Sequence, residues 1–282
     1  MTTTTTASGV RIAYELTGDP TGDPLLLING TGAQLIGWRS SFRNRLADLG
    51  YAVYAVDNRD VGESQRFPGT SYTLSDMAKD CVDFLESLGI EGAHIVGQSM
   101  GGMIAQEIAI DHQPMVLSLA LLYTSPEFGT YNTGAAFRKR RDSLPTPRTR
   151  DEAIENMVIN EQACASTAFQ QDVEWIREVG GKAYDRGLDA EGVARQRTAI
   201  SSSRSRTNLL QTITAPTLVI HGKSDNLLDY HGSMVISEQI PESDLYLVAG
   251  LGHEVHSDLE EHFVRLIHRN GLRAHHAKRG NR

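Results

Sequence analysis

Ser99 stands at the centre of the segment Val96-Gly97-Gln98-Ser99-Met100-Gly101-Gly102, which has the form G-x-S-x-G. A short apolar run at residues 94–96 precedes this serine, and a helical pattern at residues 100–112 follows it. A serine on a sharp strand-to-helix turn is pushed out of the sheet, so its hydroxyl meets substrate at the helix N-terminus. Because the flanking glycines have no side chain, the backbone can crowd into such a turn. The context predicts a nucleophile elbow, and the plainer alternative is a glycine-rich turn with a capping serine.

Composition excludes several classes of protein. Of the 282 residues, 40% are hydrophobic and 22% are charged, which is typical of a soluble globular protein with a sizeable core. The net charge of −8 argues against a nucleic-acid partner, which would favour a basic chain. No apolar run approaches the roughly 20 residues that span a bilayer, and residues 1–6 lack the pattern of a signal peptide. We expect these first residues to be a frayed end.

Two cysteines, Cys81 and Cys164, are too few for a disulfide framework. Reduced structural thiols in a cytoplasmic protein are the expected state. Neither cysteine has a partner at metal-ligand spacing, so no metal site is predicted.

Short apolar runs alternate with amphipathic helical patterns over most of the chain. The runs lie at residues 25–28, 52–56, 94–96, 116–122, 217–220 and 245–248. They are nearly continuous, as expected for parallel strands buried on both faces. The helical patterns lie at residues 41–49, 75–88, 100–112 and 256–268, and an edge strand is predicted at residues 9–16. This alternation predicts an α/β protein with a doubly wound, mostly parallel sheet.

The alternation stops between residues 124 and 214, which are polar and helical in period. We predict a helical cap inserted here after a core strand, over the sheet edge where ligands bind in such folds. Its basic run Arg138-Lys139-Arg140-Arg141 is expected to be a solvated helix face, with an anionic substrate site as the alternative. The predicted organisation is core at 1–123, cap at 124–214, core at 215–270 and a disordered tail at 271–282.

A serine nucleophile needs a base within hydrogen-bond reach and an acid that orients the base. In this architecture the acid and then the histidine follow the serine along the chain, each after a later strand. His253 ends the loop Ala249-Gly250-Leu251-Gly252-His253, directly after a predicted strand. Of the ten histidines it alone has the right order and setting, so we predict that it is the base. His221, by contrast, is assigned to a strand.

The acid should follow the strand at residues 217–220, where the chain reads His221-Gly222-Lys223-Ser224-Asp225-Asn226. Asp225 lies in this turn-rich loop and is the predicted acid, with Asp229 as the fallback. A buried aspartate here would hold the histidine tautomer and stabilise the imidazolium without taking the proton.

An oxyanion hole is the last requirement of acyl transfer. One donor should be the backbone N–H of Met100, the residue after the nucleophile. The second is expected from the loop Asn29-Gly30-Thr31-Gly32-Ala33, with the Thr31 amide best placed, although the glycines could form a plain turn. Gly32, Trp38 and Met103 are candidate substrate-binding residues in an apolar pocket, and ordinary core packing is the alternative for the two large side chains.

The segment Asp57-Asn58-Arg59-Asp60-Val61-Gly62-Glu63-Ser64 is rich in charge. We interpret it as a structured loop that ties the top of the sheet together. The glycines of the chain do not form G-x-G-x-x-G after the first strand, nor a P-loop, so a nucleotide fold is not indicated.

Together these motifs resemble those of the α/β-hydrolase superfamily over nearly the whole chain, with Asn29-Gly30 in place of the usual His-Gly. Within it the chain is most similar to the aclacinomycin methylesterase group, which acts on polyketide methyl esters. That similarity rests on the oxyanion loop running into Gly37-Trp38, on residues 57–64 and on residues 249–253. The resemblance implies Ser99 as nucleophile, His253 as base, Asp225 as acid, and the Thr31 and Met100 amides as oxyanion donors.

The sequence therefore predicts a cofactor-independent serine hydrolase of carboxylic esters, which forms an acyl-enzyme on Ser99. A lactonase with the same triad is the first alternative. Perhydrolysis, C–C bond hydrolysis, cyanohydrin cleavage and a non-catalytic ligand receptor also remain open, because fold does not fix function. Epoxide hydrolases and haloalkane dehalogenases of this fold use an aspartate nucleophile, so Ser99 argues against them. The expected partner is a small, apolar ester or lactone, and homo-oligomers are left open.

Overall fold

Eight strands form one sheet in the computed structural model, which describes residues 2–280 and the side chains as far as residue 274. The strands are β1 Thr2–Thr5, β2 Arg11–Thr17, β3 Asp23–Ile28, β4 Tyr51–Val56, β5 Ala93–Gln98, β6 Val116–Leu122, β7 Thr217–Gly222 and β8 Ser243–Val248. Their order across the sheet is β1-β2-β4-β3-β5-β6-β7-β8, and all neighbours from β4 to β8 run parallel. The predicted mostly parallel α/β sheet is confirmed.

Helices cover both faces of this sheet and enclose two apolar cores. On one face lie α2 Leu74–Ser87, α3 Met100–Asp111 and α8 His231–Gln239. On the other lie α1 Ser40–Ala47 and α9 Glu260–Gly280. The central strands are buried on both faces, which explains why their sequences are nearly continuous apolar runs.

Local sequence signals set the ends of α2. Thr73 caps its N-terminus by accepting a hydrogen bond from the Asp76 amide, and the Asp76 carboxylate accepts one in return from the Thr73 amide. Gly89 follows the helix with φ at +73°, a left-handed conformation that glycine adopts without a steric penalty. The helix α2 therefore ends at the position that Gly89 indicates in the sequence.

Four α-helices lie within residues 124–214, between β6 and β7, and we call this segment the insertion. They are α4 Ala135–Ser143, α5 Arg150–Ala163, α6 Val173–Asp185 and α7 Ala190–Ser201. Thr149, Asp172 and Asp189 cap the last three through side-chain hydrogen bonds to backbone amides. The basic run at residues 138–141 lies on α4, which buries none of its residues.

Buried ion pairs attach the insertion to the loop after β4. The Asp60 carboxylate, fully buried, binds the Arg195 guanidinium of α7 through two contacts of 2.8 and 2.9 Å. Asp57, whose side chain is also fully buried, pairs with Arg186, just beyond α6. Within the core, Arg59 binds Asp80 of α2 at 2.6 and 2.8 Å. The charged loop at residues 57–64 thus joins the sheet both to α2 and to the insertion.

The two ends of the chain differ from expectation. Residues 2–5, expected to fray, form β1 and pair antiparallel with β2, because β-branched threonines suit an extended edge strand. The helix α9 continues past residue 270, where a tail was expected. Gly271 is buried, and Arg273 pairs with Glu242 and Asp244, so these residues are held against the core. The last two residues of the expected tail, 281 and 282, lie outside the described residues.

Candidate active site

Ser99 lies at a sharp turn between β5 and α3. Its φ of +55° and ψ of −121° are strained for a residue with a side chain, as is typical of a nucleophile elbow. A Cβ at Gly97 would overlap the Gly101 carbonyl, and one at Gly101 would overlap the Ile28 carbonyl of β3. The two glycines of the G-x-S-x-G pattern are therefore required by close backbone approach.

Side chains from three separate loops meet at this turn. The Ser99 Oγ lies 3.0 Å from His253 Nε2, and His253 Nδ1 lies 2.6 Å from Asp225 Oδ2. Because a carboxylate can only accept, Nδ1 carries the proton and Nε2 presents its lone pair to the serine hydroxyl. The structure thus brings the three residues singled out in the sequence into one hydrogen-bonded chain.

The Asp225 carboxylate is fully buried and takes four hydrogen bonds. Its Oδ1 accepts from the amides of Leu227 and Leu228 at 2.8 and 2.9 Å, while Oδ2 accepts from both His253 and His221. Burial alone would raise the pKa of Asp225, but the two imidazoles outweigh it and hold the pKa well below its usual range. The carboxylate is ionised in the folded protein at neutral pH.

The fallback acid, Asp229, is engaged elsewhere. Its Oδ1 contacts the ring and the amide of His231, at 2.6 and 3.0 Å. The carboxylate in contact with His253 is that of Asp225, four residues earlier.

The two amides predicted as oxyanion donors belong to Thr31, in the loop after β3, and to Met100, the residue after Ser99. Among the described residues, the N–H groups of Thr31 and Met100 have no hydrogen-bond acceptor. The loop approaches the nucleophile closely, since a Cβ at Gly30 would lie 3.2 Å from the Ser99 Cβ. By contrast, the Gly32 amide is occupied, because it donates to Gln196 Oε1 of α7 at 2.8 Å.

The three candidate substrate-binding residues have other surroundings. Trp38 is 2% exposed and stacks on Phe42 in the core below α1, with ring centroids 5.5 Å apart. Met103 is 4% exposed and packs in the core below α3. Gly32 lies against Val193 of α7. The packing of Trp38 and Met103 agrees with the core alternative. The sequence leaves both readings open, because a large apolar side chain looks the same in it whether it faces a pocket or a core.

A buried polar network holds the loop after β3 to the elbow. The Gln98 amide donates to Asn29 Oδ1 and accepts from the Tyr123 hydroxyl, while Asn29 Nδ2 donates to the Gln34 carbonyl at 2.6 Å. The Tyr123 ring also packs edge-on against the His253 imidazole, with centroids 4.6 Å apart. Asn29, which replaces the usual histidine, therefore has a structural role, and the sequence carried no signal for Tyr123.

The end of α5 binds the loop that carries His253. The His253 amide donates to the Cys164 carbonyl at 3.0 Å, and Ser166 donates through both its amide and its hydroxyl to Glu254 Oε1. The Ser166 hydroxyl in turn accepts from the Gly252 amide at 2.9 Å. The insertion therefore holds the backbone on both sides of the imidazole.

Glu161, also on α5, lies in the electrostatic field of this site. Burial raises the pKa of Glu161 to about 7, and His253 acts in the opposite direction, while Glu254 adds to the rise. The side chain is nonetheless partly accessible and makes no side-chain hydrogen bond or ion pair with the described residues. Sequence reasoning missed it because helical period alone does not tell which face of α5 turns toward the sheet.

Among residues 2–274, whose side chains are described, no group of three or more histidine, cysteine or acidic side chains could hold a metal ion. The cysteines at 81 and 164 are free and buried. Within the same residues, no helix is both long and apolar enough to cross a membrane.

Comparison with known proteins assigns the chain to a family. Residues 23–258 match the model of the α/β-hydrolase fold family. The chain is 27% identical over 246 residues to a putative carbamate hydrolase of Variovorax paradoxus, covering 85% of this chain and 88% of that one. It is 34% identical over 119 residues to a rhodomycin D methylesterase of a Streptomyces species, covering 42% and 40% of the two chains. The enol-lactonase of Burkholderia xenovorans superposes with a TM-score of 0.77 at 20% identity, covering 95% of this chain and 99% of that one. The chain belongs to the α/β-hydrolase fold family.

Proposed function

We propose that the protein hydrolyses carboxylic esters through an acyl-enzyme intermediate on Ser99. The observation that carries this proposal is the hydrogen-bonded chain from Ser99 Oγ through His253 to the Asp225 carboxylate, with contacts of 3.0 and 2.6 Å. A serine hydroxyl activated in this way attacks carbonyl carbon, and the buried acid stabilises the imidazolium that forms.

The reaction takes place in two halves. The Ser99 Oγ attacks the ester carbonyl while its proton passes to His253 Nε2, and the tetrahedral intermediate then expels the alcohol, which takes that proton. A water molecule then gives a proton to the same nitrogen and attacks the acyl carbon. The second tetrahedral intermediate breaks its bond to Ser99 Oγ, which takes the proton back from His253 Nε2, and the acid leaves. Every proton transfer goes through His253, so the mechanism requires no cofactor.

The free amides of Thr31 and Met100 suit the charge that develops on the carbonyl oxygen. They are fixed by the backbone, so no reorganisation is needed when the oxyanion forms. One such donor contributes about 10²–10³ to the rate in comparable sites.

The relatives and the geometry both support an ester-type carbonyl as the substrate class. A methylesterase relative supports an ester carbonyl, and a carbamate hydrolase relative supports the related carbonyl of a carbamate. A lactone would be opened by the same steps, with the alcohol left tethered to the acid. The partner is therefore a small molecule. Cytoplasmic location stays a prediction from the sequence.

The test is a substrate panel assayed with the parent and with Ser99→Ala. Short-chain p-nitrophenyl esters, aryl methyl esters, a macrolactone and an aryl carbamate separate the ester, lactone and carbamate classes. We expect turnover of at least one ester, and a loss of about 10⁴-fold or more in the variant, as triad removal causes elsewhere. Near-parental turnover by folded Ser99→Ala would show that the serine is not the nucleophile.

A further inference from the structure

His221 forms a second imidazole contact on the carboxylate that orients His253. Its Nε2 lies 3.0 Å from Asp225 Oδ2, the same oxygen that His253 Nδ1 approaches at 2.6 Å. On its other side, His221 Nδ1 lies 2.7 Å from the hydroxyl of Ser233 on α8. A second serine–histidine pair therefore faces the first across Asp225.

The surroundings of His221 fix where its proton lies. Nε2 contacts the Asp225 carboxylate and, at 3.2 Å, the Leu228 carbonyl, and both of these groups can only accept. Nε2 must therefore carry the hydrogen. The ring is fully buried, as are Asp225 and Ser233, so water does not compete for these contacts.

Sharing one carboxylate oxygen between two donors has a chemical consequence. Each hydrogen bond draws electron density from Asp225, so less negative charge is left to stabilise a proton on His253. The Oδ1 atom is already occupied by the backbone amides of Leu227 and Leu228, so the effect of His221 falls on the oxygen that faces His253.

We propose that His221 is a positioning residue that moderates the Asp225 carboxylate and thereby keeps His253 available as a base at lower pH. This inference rests on the proposed function, because it assigns His253 the role of base. The proposal also gives His221 a role beyond its place in β7, namely the contact with Asp225 four residues later in the chain.

The charged and titratable groups around His221 come from the loop after β7, from α8 and from the His253 loop. They are Asp225 in contact, His253 beyond it, and the pair formed by Asp229 and His231 at the start of α8. His253, the base whose titration the proposal invokes, also faces Glu161 of α5. Despite burial, hydrogen bonds from His231 lower the pKa of Asp229, and His221 adds a smaller contribution there, as it also contributes to lowering the pKa of Asp225. A variant at Asp229 is therefore a useful check that a kinetic effect passes through Asp225.

Two variants separate the hydrogen bond from simple packing. His221→Leu fills much of the space without a donor, whereas His221→Gln can still donate an N–H to Asp225. We expect His221→Leu to move the acidic limb of the kcat/KM profile to higher pH by about 0.5 to 1 unit, because a carboxylate with fewer donors favours the protonated imidazole. His221→Gln should bring the limb back to within a few tenths of a unit of the parental position.

Equal losses of kcat/KM at every pH in both folded variants, with the limb unmoved, would show a packing role and overturn the proposal. So would a limb displaced to the same extent in His221→Gln as in His221→Leu. Asp229→Asn should leave the limb in place, and a shift as large as that of His221→Leu would also contradict the route through Asp225.

A measurement on the parental protein covers the case in which His221→Leu does not fold. NMR of protein labelled with ¹⁵N-histidine reports the protonated ring nitrogen directly, and the signals of His221 are those absent from His221→Gln. We expect Nε2 of His221 to be protonated at every pH at which the protein is folded, and a bare Nε2 would overturn the proposal. Because this readout needs no turnover, it distinguishes failure of this inference from failure of the proposed function.

Discussion

The sheet core and the insertion are stabilised by different interactions. The central strands bury their side chains almost completely, and two apolar cores lie between the sheet and its helices. In the insertion α4 buries no residue and α5 only Ala153 and Val158, whereas α6 and α7 bury a few more apolar side chains. Polar contacts add to this limited apolar burial, such as the pair of Asp60 with Arg195 and the bond from the His253 amide to Cys164. The core therefore relies on extensive apolar burial, while the insertion combines less apolar burial with individual polar pairs.

This difference assigns the two regions different parts in the proposed chemistry. Ser99, His253 and Asp225 all follow core strands, so the proposed reaction steps depend on the core. The insertion contributes residues around that machinery, including Gln196 on the Gly32 amide and Glu161 on α5. Substitutions at core site residues should abolish turnover of every substrate. Substitutions in the insertion should alter the free energy of unfolding and its dependence on pH.

The largest expected effect is that of Asp225→Asn. The new amide would turn an N–H₂ group toward two imidazole N–H donors, so His253 would lose the tautomer that activates Ser99. We expect kcat to fall about 10⁴-fold for every substrate, measured by steady-state kinetics on protein shown to be folded by circular dichroism. Asp229→Asn is the matched control, because Asp229 binds His231 instead, and it should cost less than about threefold. Similar losses in both variants would mean that Asp225 has no special part.

Removal of the Arg195 side chain tests how the insertion is held. In Arg195→Met the fully buried Asp60 carboxylate would lose its charged partner and keep the neutral Tyr72 hydroxyl and Phe67 amide. We expect the free energy of unfolding, measured in urea, to fall by about 2–4 kcal/mol.

The control is Arg150→Met, which removes an exposed ion pair with Asp185 from α5. Such pairs contribute less than about 1 kcal/mol. If the two variants lost the same free energy, buried ion pairs would not be what fastens the insertion to the core.

A smaller, pH-dependent effect is expected at Glu161. In the unfolded chain its pKa is about 4.5, and burial raises it to about 7 in the folded protein. Between these values the unfolded state ionises and the folded state does not, so rising pH removes stability, and the loss is complete above pH 7. Glu161→Gln should escape this loss and be more stable than the parent by about 1–3 kcal/mol at pH 8, with little difference at pH 4.5.

Urea unfolding at the two pH values measures this difference. Glu155→Gln, an exposed carboxylate on the same helix that pairs with Arg177, is the control. A stability gain for Glu161→Gln that was equal at both pH values, or larger at the lower one, would contradict the assignment of a raised pKa.

Sequence patterns predicted the core well because each pattern has a local cause. The G-x-S-x-G pattern reflects backbone contacts of Gly97 and Gly101, and the order of serine, acid and histidine follows from strand order in the sheet. Ser99, Asp225 and His253 could therefore be named together before the structure, and their side chains are in hydrogen-bond contact.

What the sequence did not indicate depends on packing between distant segments. His221 was placed in its strand, but its contact with Asp225 depends on the turn after that strand. Glu161 could not be placed because polar helices with little apolar burial do not reveal which face turns inward. The short edge strand at residues 2–5 was missed because four threonines form a strand only against β2. Trp38 illustrates a related ambiguity, since its apolar ring suits a pocket or a core equally well in the sequence, and it is 2% exposed in the core below α1.

Covalent labelling tests the central claim most directly. A fluorophosphonate probe reacts with a serine hydroxyl only when a base and an oxyanion hole activate it, whatever the natural substrate is. We predict one adduct per chain by intact mass, located on Ser99 by peptide mapping and absent from Ser99→Ala. Folded protein that takes up no label, or takes it up at another residue, would contradict the account. The absence of label would also favour a ligand receptor built on the same fold.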